Sequence, residues 1–146
     1  MDRIKPYLSF QGRAGRGQYW LVAFATWAGL LLCSLLAYSL GVWSAVIILP
    51  LYVLVLWASL AASVRRIHDR GRSGWWLLVM LGPVIVFSAL GASGTGAGGD
   101  PSPFTILAIP FSFWVLIDLG CMAGTPGPNR YGPAQGAPLA AADVFD

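Results

Sequence analysis

The sequence predicts an all-α polytopic membrane protein with four transmembrane helices and both termini in the cytoplasm. Three observations carry this expectation. Four apolar runs each approach the roughly 20 residues that a membrane span needs. Of 146 residues, 57% are hydrophobic and only 10% are charged, whereas a soluble domain carries about 25% charged residues. All nine Lys and Arg residues lie outside the apolar runs and fall on one side once the runs are threaded through a bilayer. A membrane domain is expected over residues 1–133, with a flexible cytoplasmic tail over 134–146.

The first span reads Tyr19–Leu40 and the second Val42–Val64. Together they are far too long for one crossing, so a tight hairpin is expected at Leu40-Gly41-Val42-Trp43-Ser44. Gly41 suits the left-handed conformation that ends a helix, and Tyr38 and Trp43 suit the membrane interface. The first run is too long for the apolar core of a cleaved signal peptide and reads as a retained helix. The third span reads Trp75–Ala92, with Ser73 as a candidate N-cap. Gly94–Pro103 reads as a Gly- and Ser-rich linker. The fourth span reads Phe104–Ala123, ended by Gly124 and Pro126. Pro50, Pro83 and Pro110 fall inside spans two, three and four. Each removes a backbone donor, a loss that membrane helices tolerate because neighbours re-satisfy the freed carbonyl.

Positive charge sets the orientation. Arg3, Lys5, Arg13 and Arg16 precede the first span. Arg65, Arg66, Arg70 and Arg72 lie between the second and third, and Arg130 follows the fourth. The two opposite loops carry none. The positive-inside rule places the charged side in the cytoplasm.

Catalytic and metal chemistry find little material. Cys33 and Cys121 are the two cysteines. Cys33 sits about 20 Å along the first helix at 1.5 Å per residue and Cys121 near the charged end of the fourth, so a disulfide is not expected and both read as packing residues. One histidine and no acid-rich cluster argue against a metal site. No phosphate loop of the Walker type is present. No cofactor and no catalytic residue are assigned.

Two segments set several arginines beside interfacial aromatics: Phe10-Gln11-Gly12-Arg13-Ala14-Gly15-Arg16-Gly17-Gln18-Tyr19-Trp20, and Arg65 to Gly74 followed by Trp75-Trp76. The guanidinium fork binds phosphate bidentately. The candidate site for an anionic lipid or a partner protein comprises Arg13, Arg16, Arg65, Arg66, His68, Asp69, Arg72, Trp75, Trp76, Asn129 and Arg130. If the second helix continues past the membrane, Arg65, His68, Asp69 and Arg72 share a face, and Asp69 is expected to pair with Arg65 or Arg72. Gly71 and Gly74 allow the chain to turn back into the membrane. Asp118 is the one acid inside a predicted span. It reads as an ion-pair partner for an arginine of the central loop or the N-terminal segment, with a proton or cation site as the alternative.

These segments resemble a known family. The Phe10–Arg16 stretch with Tyr19-Trp20 is similar to the opening motif of the bacterial membrane family called domain of unknown function 805. Arg65 to Trp76 resembles its most distinctive signature, and Gly124 to Pro133 its closing motif. The resemblance implies a small helical protein of the bacterial inner membrane. It brings no catalytic residues, and Asp118 matches none of its motifs. The three motifs are expected to meet as one polar cap, with Asn129 and Arg130 near the cytoplasmic surface.

The functional expectation is a non-enzymatic protein whose Arg- and Trp-rich cap binds anionic lipid headgroups or a partner protein. The alternatives are a transporter or channel subunit using Asp118 in a homo-oligomer, and a lipid-phosphate enzyme using His68. Nucleic acid is not expected as a partner, because the basic residues already have a role at the membrane.

Overall fold

Among the described residues four long helices follow in order: α1 Arg16–Leu40, α2 Ala45–Asp69, α3 Trp76–Ser93 and α4 Pro103–Leu116, the last continued by a π-helical turn, Ile117–Cys121. This is a computed structural model, and it describes residues 8–41, 45–93 and 102–133. Among the described residues, four helices, counting α4 with its π-turn, are long and apolar enough to cross a membrane. Large apolar side chains face outward along them, including Leu21, Leu35, Val53, Leu78, Ile85 and Phe113. Such a surface suits lipid, where every backbone polar group must find its partner within the protein.

The helices pair as two hairpins. α1 packs along α2, and α3 along α4. Each pair closes on a glycine. A side chain on Gly29 would come within 3.0 Å of Val55, and one on Gly91 within 3.0 Å of the Thr105 backbone nitrogen. Small residues let helix backbones approach closely in a membrane protein. Among the described helices, the two hairpins meet only where α2 touches α3 and where α1 and α2 touch the π-turn. There Ile67, Leu77, Met80 and Leu119 form a buried cluster, flanked by Tyr19, Val64, Leu81 and Val115. The junction lies at the arginine-bearing end of the molecule.

Several element ends differ from the sequence expectation. α1 begins at Arg16, three residues earlier than Tyr19. α2 continues to Asp69, five residues past Val64, because the polar residues of its last turns have protein partners, described below. α3 starts at Trp76, whose amide donates to the Ser73 backbone carbonyl. α4 starts at Pro103, a position where a missing amide costs nothing, and leaves the α conformation at Ile117 instead of running to Ala123. Gly41 ends α1 at φ +62°, its amide donating to the Ala37 carbonyl. Trp43, with Val42 and Ser44, lies outside the described residues, as do the linker over 94–101 and the tail over 134–146. Pro50, Pro83 and Pro110 lie inside α2, α3 and α4. Cys33 is buried and Cys121 is exposed, and both are free thiols. The expected packing role therefore fits Cys33 and not Cys121.

Candidate functional site: an arginine-rich cap at the hairpin junction

Asp69, the last residue of α2, is the hub of the cap. Its Oδ1 accepts from Arg13 at 2.8 Å and its Oδ2 from Arg66 at 2.5 Å. Its backbone carbonyl accepts from both the amide and the hydroxyl of Thr125, each at 2.9 Å. The partners expected from helical spacing, Arg65 and Arg72, are not the ones it takes. Arg66 sits one turn back on the same helix and reaches Asp69 directly. Arg72 lies beyond the helix end, past a turn made by Gly71 at φ +71°, and its guanidinium lies over the Trp76 ring at 4.9 Å.

Arg13 joins the three sequence motifs. It comes from the opening segment and donates to Asp69 in the central one. It also donates to the carbonyls of Thr125 at 2.8 Å and Gly127 at 2.7 Å in the closing one. Its side chain is 3% exposed. The Ala14 amide donates to the Arg65 carbonyl at 3.1 Å, which fastens the same segment to α2. Arg65 is buried, and its Nε donates to the Ala61 carbonyl one turn back at 3.4 Å.

The π-turn explains where the other cations go. A helix C-terminus leaves carbonyls without intrahelical partners and carries partial negative charge. Here side chains take five consecutive ones. Arg70 donates to Asp118 at 3.0 Å, Arg66 to Leu119 at 2.7 Å, Trp20 to Gly120 at 3.1 Å and Arg16 to Cys121 at 3.4 Å. Arg66 also donates to the Met122 carbonyl. Widening the last turn exposes these oxygens to the guanidinium groups, so the helix ends where the arginines hold it. Gly120 is required there because a side chain would stand 2.7 Å from the Trp20 ring.

Asp118 forms an ion pair with Arg70, and Arg72 approaches the same oxygen at 3.5 Å. The expected pairing with the central loop is what the structure shows. Oδ2 of Asp118 is buried and has no hydrogen-bond partner.

His68 stacks on Tyr131, the rings parallel to within 4° and 3.8 Å apart. Asn129 donates to the His68 carbonyl at 3.0 Å, and its own Oδ1 accepts from the Tyr131 amide. Arg130 lies 4.8 Å over the Tyr131 ring and donates to the Gly71 carbonyl at 3.3 Å. His68 and Asn129 thus tie the closing segment to α2. Arg16 and Arg130 are exposed, as are Trp75, at 76%, and Trp76.

The cap frames an open cavity of about 310 Å³ lined by Arg13, Gly15, Arg16, Arg66, Asp69, Gly124, Thr125 and Pro126. Three guanidinium groups face one carboxylate. Of the residues expected at the site, Arg13, Arg16, Arg66 and Asp69 line this cavity. Arg65, His68, Arg72, Trp75, Trp76, Asn129 and Arg130 do not. Sequence reasoning missed Arg70, Trp20, Thr125 and Tyr131. Trp20, Thr125 and Tyr131 lie inside the motifs that marked the site, and Arg70 inside the central loop.

The family model described as "Protein of unknown function (DUF805)" matches residues 7–133. The chain is 37% identical over 130 residues to "Uncharacterized protein YiiR" of Escherichia coli strain K12, covering 85% of this chain and 84% of that one. It is 32% identical over 136 residues to "Inner membrane protein YhaH" of the same strain, covering 89% of each. With "Inner membrane protein YhaI" it shares 29% identity over 131 residues, 88% of this chain and 87% of that one. No solved structure matches. The matched residues run from the segment that carries Arg13 through the closing segment that Arg13 holds, and the chain belongs to the DUF805 family.

Proposed function

We propose that the protein lies in the bacterial inner membrane, with both termini and the α2–α3 loop in the cytoplasm, and binds an anionic lipid headgroup in the cap cavity. The single observation that carries the reading is the cavity lined by Arg13, Arg16 and Arg66 against Asp69 alone. Asp69 is matched by Arg13 and Arg66, so an excess of positive charge remains for an incoming anion. Arg16 is exposed and makes one long contact, at 3.4 Å, to the Cys121 carbonyl. It is the cation best able to turn toward a ligand.

Location supports the same reading. Two relatives are named inner membrane proteins. Arginines near an anionic leaflet gain about 1 kcal/mol each, and Arg16, Arg72 and Arg130 are the cap arginines that reach the surface. Trp76 opens α3 beneath Arg72 and exposed Trp75 precedes it, as amphipathic rings do at the membrane interface.

Native mass spectrometry of protein released gently from membranes tests the proposal. Retained anionic lipid that is lost in Arg16→Gln supports it. Equal retention in the variant overturns it, and a protein partner in place of lipid moves the cap to the partner-binding reading. Orientation is tested separately by labelling a Pro128→Cys variant, built without Cys33 and Cys121, from each side of the membrane.

A further inference from the structure

The residues that line the cap cavity carry more positive charge than an ordinary phospholipid diester would offset. Three arginines line it and one carboxylate offsets them, which leaves two positive charges. A fourth contribution comes from α1. Gly15 caps this 25-residue helix and lines the cavity, it has no side chain to offer, and the first turn holds no acidic residue. The first amides of a helix lack intrahelical acceptors and carry partial positive charge. This end of α1 therefore faces the cavity with its donors uncovered by any acid.

Geometry adds a second argument. The donors of Arg13 point to Asp69, Thr125 and Gly127, so this group contributes charge and shape. Arg66 is 1% exposed and holds Asp69 and two carbonyls of the π-turn region, from all three of its nitrogens. Arg16 and the start of α1 at Gly15 are left to bind. Both line the cavity, so a compact group with several terminal oxygens can meet them together.

We infer that the cavity selects a phosphomonoester dianion, either the headgroup of a lipid such as phosphatidic acid or a soluble glycerol phosphate. A phosphomonoester carries about −1.5 to −2 charges at pH 7 and three acceptor oxygens. This matches the two excess charges and the uncovered amides, whereas a diester offers one charge and two free oxygens. The inference rests on the reading that the cavity binds an anionic headgroup, and it names the class of that headgroup.

The test compares ligands on purified full-length protein in neutral detergent. Phosphatidic acid, phosphatidylglycerol and glycerol 3-phosphate are titrated separately, and binding is read by native mass spectrometry. Phosphatidic acid is expected to bind at least tenfold more tightly than phosphatidylglycerol. Glycerol 3-phosphate that matches phosphatidic acid also supports monoester selection and assigns a soluble source. Tenfold weaker binding of glycerol 3-phosphate assigns a lipid source. Equal affinity for the two lipids overturns the selectivity while leaving the headgroup reading in place. Binding of none of the three overturns both.

Two variants keep the test specific to the cavity. Arg16→Gln removes the exposed cation. Gly17→Asp adds a carboxylate to the first turn of α1, where a side chain meets nothing within 4 Å and an acid is favourable to the helix. Both are expected to lose the preference for the monoester while the protein stays folded. An unchanged preference in both places the selection elsewhere and overturns the assignment to this cavity.

Discussion

The carboxylate of Asp69 occupies the space that a side chain on Gly124 would need. A Cβ at residue 124 would lie 2.6 Å from the Asp69 carboxyl carbon and collide with its Oδ2, the oxygen that accepts from Arg66. The end of α2 and the start of the closing segment are therefore fitted to each other around one buried acid. Gly124→Ala is expected to push Asp69 off Arg66 and to cost about 3 kcal/mol, as breaking a buried ion pair does. Thermal unfolding in detergent checks this. A stability equal to that of the parent protein would show that the hub has room to adjust.

The charges that meet at Asp69 are expected to be energetically coupled. Asp69→Asn leaves Arg13 and Arg66 buried without a counter-charge, a loss of about 3–5 kcal/mol. Arg13→Gln leaves Asp69 with Arg66 alone and also frees the Thr125 and Gly127 carbonyls. The double variant is expected to be less destabilised than the two losses added together, because the groups act on one another. Strict additivity in the double-mutant cycle would mean that the pair is not energetically coupled.

Two arginines approach Asp118, and they are not equal. The Arg70 side chain is 12% exposed and the Arg72 side chain 37%. Arg70 also donates to the Asp118 carbonyl. Arg70→Gln is expected to destabilise by about 2–4 kcal/mol. Arg72→Gln should change stability by less than about 1 kcal/mol, as for an exposed pair. Unfolding of both variants side by side in SDS decides whether this order holds.

Gly91 and Gly82 lie on the same helix and should respond oppositely. A side chain on Gly91 collides with the Thr105 hydroxyl, whereas one on Gly82 meets nothing within 4 Å. Gly91→Ala is expected to separate α3 from α4 and cost about 1–3 kcal/mol. Gly82→Ala is expected to be neutral or stabilising, since Ala has the better helix propensity. Similar effects at both sites would indicate that the α3–α4 contact does not limit stability.

Much of the architecture is legible without coordinates. Hydropathy and length mark the four helices, because a span must satisfy its own backbone hydrogen bonds and must be long and apolar to do so. Gly41 reads correctly as the end of α1, and Pro50, Pro83 and Pro110 fall inside the helices expected to hold them. The two motifs around Arg13 and Arg66 and the closing segment also mark the place where the cap forms. The pairing of Asp118 with the central loop follows from the cost of an unpaired carboxylate near a span.

The partners within the cap are a different matter. Asp69 was expected to choose among arginines near it in helical spacing. It takes Arg66 from its own helix and Arg13 from 56 residues away. Arg13 in turn holds Thr125, 112 residues distant. Burial of Arg13, Arg65 and Arg66 has no signature in local sequence, where an arginine beside a span reads as a surface charge. It depends on which carbonyls the π-turn presents and on where the closing segment lies. The sequence by itself determined the four apolar helices and the gathering of charge at one end, because these follow from local hydropathy and backbone geometry, whereas the last turns of α2 and the π-turn of α4 depend on tertiary partners. The tertiary structure alone decided which cations are consumed in holding the hairpins together and which remain for a ligand, because that choice is made by groups that meet only when both hairpins have converged.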